Sequence, residues 1–368
     1  MNQQRYLALD IFRGMTVCFM IIVNTGGDGA HTFAPLMHAK WHGFTPTDLV
    51  FPSFLFAVGN ALSFVALKWS GMPQGQVLGK IFKRTLIIFL LGYLMYWFPF
   101  FKQDADGHWM LKPISETRIL GVLQRIALCY GAAALMVYYL KPKWTFIISL
   151  LFLVGYSITL NNFGDLTREG NVGMMIDRLL LGDNHLYHGE GVPFDPEGLL
   201  STLPSIANVT FGYFAGKYIQ EKCKSYEGLT HLLLTGFAML TLAYFWDASL
   251  PINKKLWTSS FVLYTVGLDL IILSAVIYLA EIRGLVKWGS FFEVFGKNTI
   301  TIYLLSEIGI AALNMIPVGG TDFLSWIYAH VFSLAPLYWA SLLYAFWWMF
   351  TCWLVGKWMD NKKIYIKV

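Results

Sequence analysis

LALDIFRGMTVCFMIIV (Leu7–Val23), NTGGDGAHTFAPLMHAKWHGFTPTD (Asn24–Asp48) and LVFPSFLFAVGNALSFVAL (Leu49–Leu67) follow one another without a break. The outer two are apolar and close to the ~20 residues that a helix needs to cross a hydrocarbon layer. The middle one carries His31, His38 and His42, the carboxylates Asp28 and Asp48, Asn24, and the rings of Phe33, Trp41 and Phe44. A wet connecting loop explains such a composition. So does a site: imidazoles at a membrane boundary have a desolvated wall beside them and water in front, which tunes proton and acyl chemistry.

The rest of the chain repeats the apolar pattern. Of 368 residues 56% are hydrophobic and 13% charged, whereas soluble domains are about a quarter charged. Ten apolar segments stand out: 7–23, 48–67, 80–99, 117–139, 144–161, 200–219, 229–247, 258–280, 293–315 and 335–356. The expectation is an all-α, polytopic membrane bundle of about ten transmembrane helices, one domain over 1–368. The longest polar stretch, Asn162 to Leu199, reads as an aqueous loop. No small-residue cleavage site follows the first apolar run, so that run is expected to stay as an anchor. The net charge of +5 belongs to loops rather than to a nucleic-acid surface. Cys18, Cys129, Cys223 and Cys352 are scattered, with neither metal-ligand spacing nor a disulfide framework.

Charge sets the orientation. With a cytoplasmic N-terminus, the inside regions collect 17 of the 27 Lys and Arg residues and the outside regions 8. Both termini are therefore expected in the cytoplasm, and Asn24–Asp48 on the far side. Aromatic clusters such as Tyr93–Phe101 and Tyr344–Phe350 read as interfacial belts. No internal repeat is evident, which weakens a secondary-transporter reading.

Charges at membrane depth are costly and mark candidate sites. Asp10 and Arg13 share a helix face and are as well explained by an ion pair as by substrate contact. Arg125, in GVLQRIALCYGAA, suits an anionic ligand or carboxylate partner better than snorkelling. Asp48 opens a helix, where the dipole alone favours a carboxylate. Asp269 and Glu307 are further buried candidates. Two outer segments also look constrained: Phe194–Ser205, with Asp195 and Glu197, and Pro251–Phe261, with Asn253, Lys254, Lys255 and Trp257. Amides, amines and a Trp suit a sugar site; they equally suit headgroup anchoring.

LALDIFRGMTVCFMIIVN, LMHAKWHGFTPTDLVFPSFLFAVG, ILGVLQRIALCY, FDPEGLLSTLPSI, NKKLWTSSFVL and FGKNTITIYLLS together resemble the bacterial relatives of heparan-α-glucosaminide N-acetyltransferase. The matches run in order from near residue 7 to near residue 306, and the HAxWxG…DLVFP block is the most specific. The resemblance implies a membrane acyltransferase that takes acetyl-CoA as cosubstrate from the cytosol, without a metal. It would pass the acetyl group to the amine of a glucosamine-type sugar on the periplasmic side of a bacterial inner membrane. It also implies that His38 is catalytic, with Asn24 and Asp48 at matching positions. The loop between Asn24 and His38 differs from the animal enzyme, which leaves cell-wall or scavenged amino sugars as acceptors.

The residues fit that chemistry. Forming an amide from a thioester and an amine needs a base or an acyl-accepting nucleophile, and a neutral imidazole serves as either. Asp48 would orient His38, and Asn24 or the Gly26 and Gly27 amides would donate to the oxyanion. Arg125, Trp41, Asn253, Lys254, Trp257, Asp195 and Glu197 are the expected substrate contacts; His31 and His42 are rim residues. Lys80, Lys83 and Arg84 offer a basic cluster for the CoA phosphates, which orientation alone also explains. The expected partners are acetyl-CoA, an amino sugar and the bilayer, with no nucleic acid and a homodimer left open. The competing reading is a proton-coupled transporter of a sugar or small anion.

Overall fold

A computed structural model describes residues 6–104, 106, 108–223 and 225–366. Arg5, Lys224 and Lys367, three of the charges behind the expected orientation, lie outside them. Helices run over Leu7–Asn24 (α1), Pro46–Ala66 (α2), Gln74–Trp97 (α3), Val122–Tyr139 (α4), Pro142–Asn162 (α5), Val172–Leu181 (α6) and Thr202–Lys222 (α7). They continue over Tyr226–Asp247 (α8), Ser259–Ile277 (α9), Gly289–Lys297 (α10), Thr299–Asn314 (α11), Phe323–His330 (α12) and Leu337–Asn361 (α13). Two small antiparallel hairpins qualify the all-α expectation. They pair Phe101–Gln103 (β1) with Trp109–Leu111 (β2), and Pro317–Val318 (β3) with Thr321–Asp322 (β4).

Seven of the described helices are long and apolar enough to cross a membrane: α1, α2 with its following turn, α4, α5, α8, α9 with its following π-helical turn, and α13. Three of the ten expected segments fall elsewhere. Segment 80–99 lies in α3, whose first half carries Lys80, Lys83 and Arg84. Segment 200–219 lies in α7, whose buried face includes Ser205, Asn208 and Thr210. Segment 293–315 is broken at Asn298 into α10 and α11. Along α5 and α8, Leu151, Val154, Ile158, Leu234, Phe237, Leu242 and Phe245 are exposed. Apolar faces of that extent suit lipid rather than water.

The described chain divides into two compact units, 6–38 with 45–51 and 279–366, and 39–44 with 52–278. In the first, α1 packs on α10 with backbones touching. A Cβ on Gly14 would lie 1.8 Å from the Phe292 carbonyl oxygen, and one on Gly296 2.3 Å from that of Asp10. Close crossing at small residues is how helices associate in lipid, where apolar burial supplies no drive. Arg13 Nη2 donates to Asp10 Oδ1 at 2.9 Å and to the Gly296 carbonyl, so this pair is structural. At the break between α10 and α11, Asn298 Nδ2 donates to the Ile364 carbonyl (2.9 Å) and Oδ1 accepts from the Ile366 N–H (3.1 Å). The polar residue of FGKNT thus ties down the C-terminal strand of chain.

In the second unit α8 packs on α9, α3 on α4, and α7 on both α4 and α5. Glycine again sets the closest approach: a Cβ on Gly59 of α2 would meet the Val209 carbonyl oxygen at 1.9 Å, and one on Gly212 of α7 that of Phe56 at 2.1 Å. The 162–199 stretch is not a plain aqueous loop. It contains α6, capped by Asn171 Oδ1 accepting from the Met174 N–H at 2.8 Å. Its Val172 packs with Tyr156, Leu160 and Leu250, and its Met174 and Phe194 with Leu256.

Candidate active site

In the first unit the sequence Thr45-Pro46-Thr47-Asp48 builds the start of α2. Asp48 Oδ2 accepts from the Thr45 N–H (3.0 Å) and from Thr45 Oγ1 (3.1 Å), while the Asp48 N–H donates to the Thr45 carbonyl (2.9 Å). This is the back-bonded half of a capping box, with proline at the first helical position, where its missing N–H costs nothing. The cap also gathers the preceding loop. Thr45 Oγ1 donates to the Met37 carbonyl (2.7 Å) and Thr47 Oγ1 to that of Pro35 (3.0 Å). His38 is therefore anchored one residue from a fixed carbonyl.

The other Asp48 oxygen, Oδ1, lies 2.7 Å from His38 Nδ1. The Asp48 side chain is 1% exposed and that of His38 43%. A carboxylate only accepts hydrogen bonds, so Nδ1 carries the proton and Nε2 is the basic nitrogen. A buried carboxylate, held by a helix cap, orients a half-exposed imidazole. That is the base-and-orienter arrangement of nucleophilic and acid–base sites.

His38 also lines a cavity of about 300 Å³. Its walls come from the end of α1 (Ile22, Val23), the loop (Gly26, Gly29, Thr32, Phe33, Leu36, Met37) and the start of α13 (Tyr338, Ser341, Leu342, Ala345). Asn24 does not line it. Asn24 Nδ2 donates to Glu307 Oε1 at 3.2 Å, a pairing 283 residues apart that no local pattern reveals. His31 Nδ1 meets Asp28 Oδ2 at 2.6 Å. That hydrogen bond and the one from the Ala30 N–H hold the Asp28 carboxyl below its usual range.

The second unit holds the remaining expected residues in a bonded polar framework. Arg118 grips Asp195 in a two-point pair (2.9 and 2.7 Å) and reaches Glu197 at 2.6 Å, between the rings of Tyr96 and Tyr187. Burial raises the Asp195 carboxyl above its usual range, against the pull of Arg118. Burial acts on Glu197 as well, but Arg118, Arg125 and Lys254 outweigh it and hold that carboxyl low. Arg118 is not among the expected site residues; its place at the outer end of segment 117–139, four residues before α4, makes it read as an outside charge.

Arg125 does have its carboxylate near, but it bonds elsewhere: to the Gly198 carbonyl at 3.1 Å, to Ser201 Oγ, and face-on to the Trp257 ring at 4.9 Å. Trp257 has φ +53, a region costly for a bulky residue, and Nε1 donates to Asn208 Oδ1 at 3.0 Å. Asn253 shapes the same turn, with Oδ1 accepting from the Leu256 N–H (2.9 Å) and Nδ2 lying 3.3 Å from His42 Nδ1. Trp41 Nε1 donates to the Leu166 carbonyl (2.8 Å) beneath Arg168. Arg125, Asp195, Asn253 and Trp257 are all buried. Three ligand atoms of Asp104, Asp106 and His108 fall within 4.8 Å of one another on the β1–β2 hairpin. Asp104 Oδ1 there already accepts from the Asp106 and His108 amides.

Comparison with known proteins adds a family. The model of the heparan-alpha-glucosaminide N-acetyltransferase catalytic region matches residues 5–252. The chain is 30% identical over 372 residues to heparan-alpha-glucosaminide N-acetyltransferase of Mus musculus, covering 83% of this chain and 54% of that protein. It is 28% identical over 368 residues to the Homo sapiens protein of that name, covering 83% and 53%. The chain thus spans about half the length of the curated relatives it matches. Asn24, His38, Trp41, Asp48, Arg125, Asp195 and Glu197 lie within the matched family region; Asn253, Lys254 and Trp257 lie just past it.

Proposed function

The chain belongs to the heparan-alpha-glucosaminide N-acetyltransferase catalytic family, and we propose that it transfers an acetyl group from acetyl-CoA to the amine of a glucosamine-type sugar. The proposal treats 1–368 as one transmembrane acyltransferase domain of a bacterial inner membrane. The donor arrives from the cytosol, and the Asn24–Asp48 stretch faces the periplasm. The excess of Lys and Arg in the regions assigned to the inside supports that orientation.

The observation that carries the reading is the His38–Asp48 pair at 2.7 Å. In the reaction His38 Nε2 removes a proton from the acceptor ammonium. The amine nitrogen bonds to the thioester carbonyl carbon, the nitrogen gives up its second proton to solvent, the C–S bond breaks, and the sulfur leaves as a thiolate that the imidazolium reprotonates. Asp48 holds the imidazole tautomer and stabilises the cation formed midway. The Gly26 amide, on the cavity wall, and Asn24 are the proposed donors to the oxyanion. Glu307, by accepting from Asn24 Nδ2, fixes which way that amide points. Trp41, Lys254, Glu197 and the framework around Arg125, Asp195, Asn253 and Trp257 are proposed to shape the acceptor's surroundings.

The test is direct. Purified protein incubated with labelled acetyl-CoA and glucosamine yields N-acetylglucosamine and free CoA in equal amounts. A proton-coupled transporter yields neither, and that result would overturn the proposal.

A further inference from the structure

The cavity beside His38 is larger and more apolar than an acetyl group requires. An acetyl methyl is about the size of one water molecule, ~30 Å³, and the cavity holds about 300 Å³. Its apolar walls are Ile22, Val23, Phe33, Leu36, Met37, Leu342 and Ala345, and Thr32, His38, Tyr338 and Ser341 bring polar groups to it.

Of the three hydroxyls in the wall, those of Thr32 and Ser341 are turned toward Asp28, and the third belongs to the half-exposed Tyr338. Thr32 Oγ1 donates to the Asp28 carbonyl at 3.1 Å. Ser341 Oγ accepts from the Asp28 N–H at 3.3 Å and lies 3.4 Å from its carbonyl oxygen. A sugar ring pressed against the apolar side chains would leave the hydroxyls facing them without partners, at a cost of about 1–3 kcal/mol each. A hydrocarbon chain would meet no such cost. Seven apolar side chains in the wall, two hydroxyls committed to Asp28 and the imidazole beside them together favour the alkyl end of an acyl donor over the acceptor.

We propose that this cavity is an acyl-chain pocket, and that the protein transfers linear acyl groups longer than acetyl, from thioesters such as propionyl-, butyryl- and hexanoyl-CoA. The inference rests on the acyltransferase reading above and widens its donor class. The balance is that of the acetyl reaction: a C–N bond forms, the C–S bond breaks, one proton leaves the amine, and the thiol of CoA is released. Chain length is then set by the walls, since each methylene accepted or refused in an apolar pocket changes kcat/KM by about 10–200-fold.

The experiment measures kcat/KM for acetyl-, propionyl-, butyryl- and hexanoyl-CoA with glucosamine, using the full chain and mass detection of the N-acyl product. Two variants alter the walls in opposite senses. Gly29→Leu adds an apolar side chain at the rim of the cavity, where a Cβ meets nothing within 4 Å; Leu342→Ala opens its wall. Butyryl-CoA, whose two added methylenes the apolar walls would take up, is expected to match or exceed acetyl-CoA in kcat/KM. Gly29→Leu should lower the butyryl-to-acetyl ratio by about tenfold or more, and Leu342→Ala should raise the hexanoyl-to-acetyl ratio. Acetyl transfer with butyryl transfer more than about a hundredfold weaker would overturn the pocket assignment alone. So would ratios unmoved in both variants. Loss of transfer from every donor in the unaltered chain would overturn the acyltransferase reading, and the pocket with it.

Discussion

At the scale of single residues, Asp48 carries two duties with its two oxygens. Oδ2 closes the α2 cap on Thr45, and Oδ1 faces His38. Asp48→Asn keeps the size and can still accept from the Thr45 amide, but it can present an N–H to His38 and favour the wrong tautomer. The expected result is a fall in kcat of about 10²–10⁴-fold, with the thermal midpoint lowered only by the roughly 1 kcal/mol of a weakened cap. Steady-state assay beside a melting curve checks both. This pair was legible in the sequence because its members lie ten residues apart, flanking a T-P-T-D helix start. The part played by Thr45 is equally local, but a carboxylate at a helix start is already explained by the dipole, so the sequence does not single Thr45 out. Glu307 could not be paired with Asn24 by any local pattern, as the two meet only through the packing of α11 on α1.

Among the elements, α6 and the segments that flank it look polar in sequence and turn out to be framework. Asn171 is a cap, Asp165 accepts from Thr167 in a turn, and Asp195 is the buried partner of Arg118. In sequence each reads as aqueous or substrate-binding, because composition does not say which polar groups find partners. Arg118→Gln leaves the Asp195 carboxylate buried beside Glu197 without its cation. Removing one partner of a buried pair costs about 3–5 kcal/mol, and thermal unfolding at neutral pH should show a loss of that size.

Asp177 of α6 gives a pH dependence. Burial raises its carboxyl from 3.8 to about 6, although the Leu199 N–H donates to it. A group that holds its proton more tightly when folded stabilises the fold below about pH 3.8, and that contribution fades as pH rises to about 6. Stability should therefore lose roughly 3 kcal/mol from this group between those values. Asp177→Asn should flatten that part of the stability profile, as followed by denaturant unfolding from pH 4 to pH 7.

On the scale of the whole molecule, hydropathy makes the helical membrane architecture legible, and seven of the described helices meet both length and apolarity. The remaining segments show why counting runs is not enough. Asn298 breaks one apolar run because its side chain bonds the 364–366 chain, and α7 turns Ser205, Asn208 and Thr210 inward. The proposed orientation rests on the charge excess, and under it a topology reporter placed at Thr32 should respond only on the periplasmic side. A cytoplasmic response there would reverse the assignment.

The account as a whole depends on the imidazole of His38 acting on the thioester. Its most direct test is transfer of labelled acetyl from acetyl-CoA to glucosamine by a His38→Ala protein whose melting curve matches the unaltered chain. Transfer is predicted to fall by about 10³-fold or more. Transfer at the unaltered rate would contradict the account.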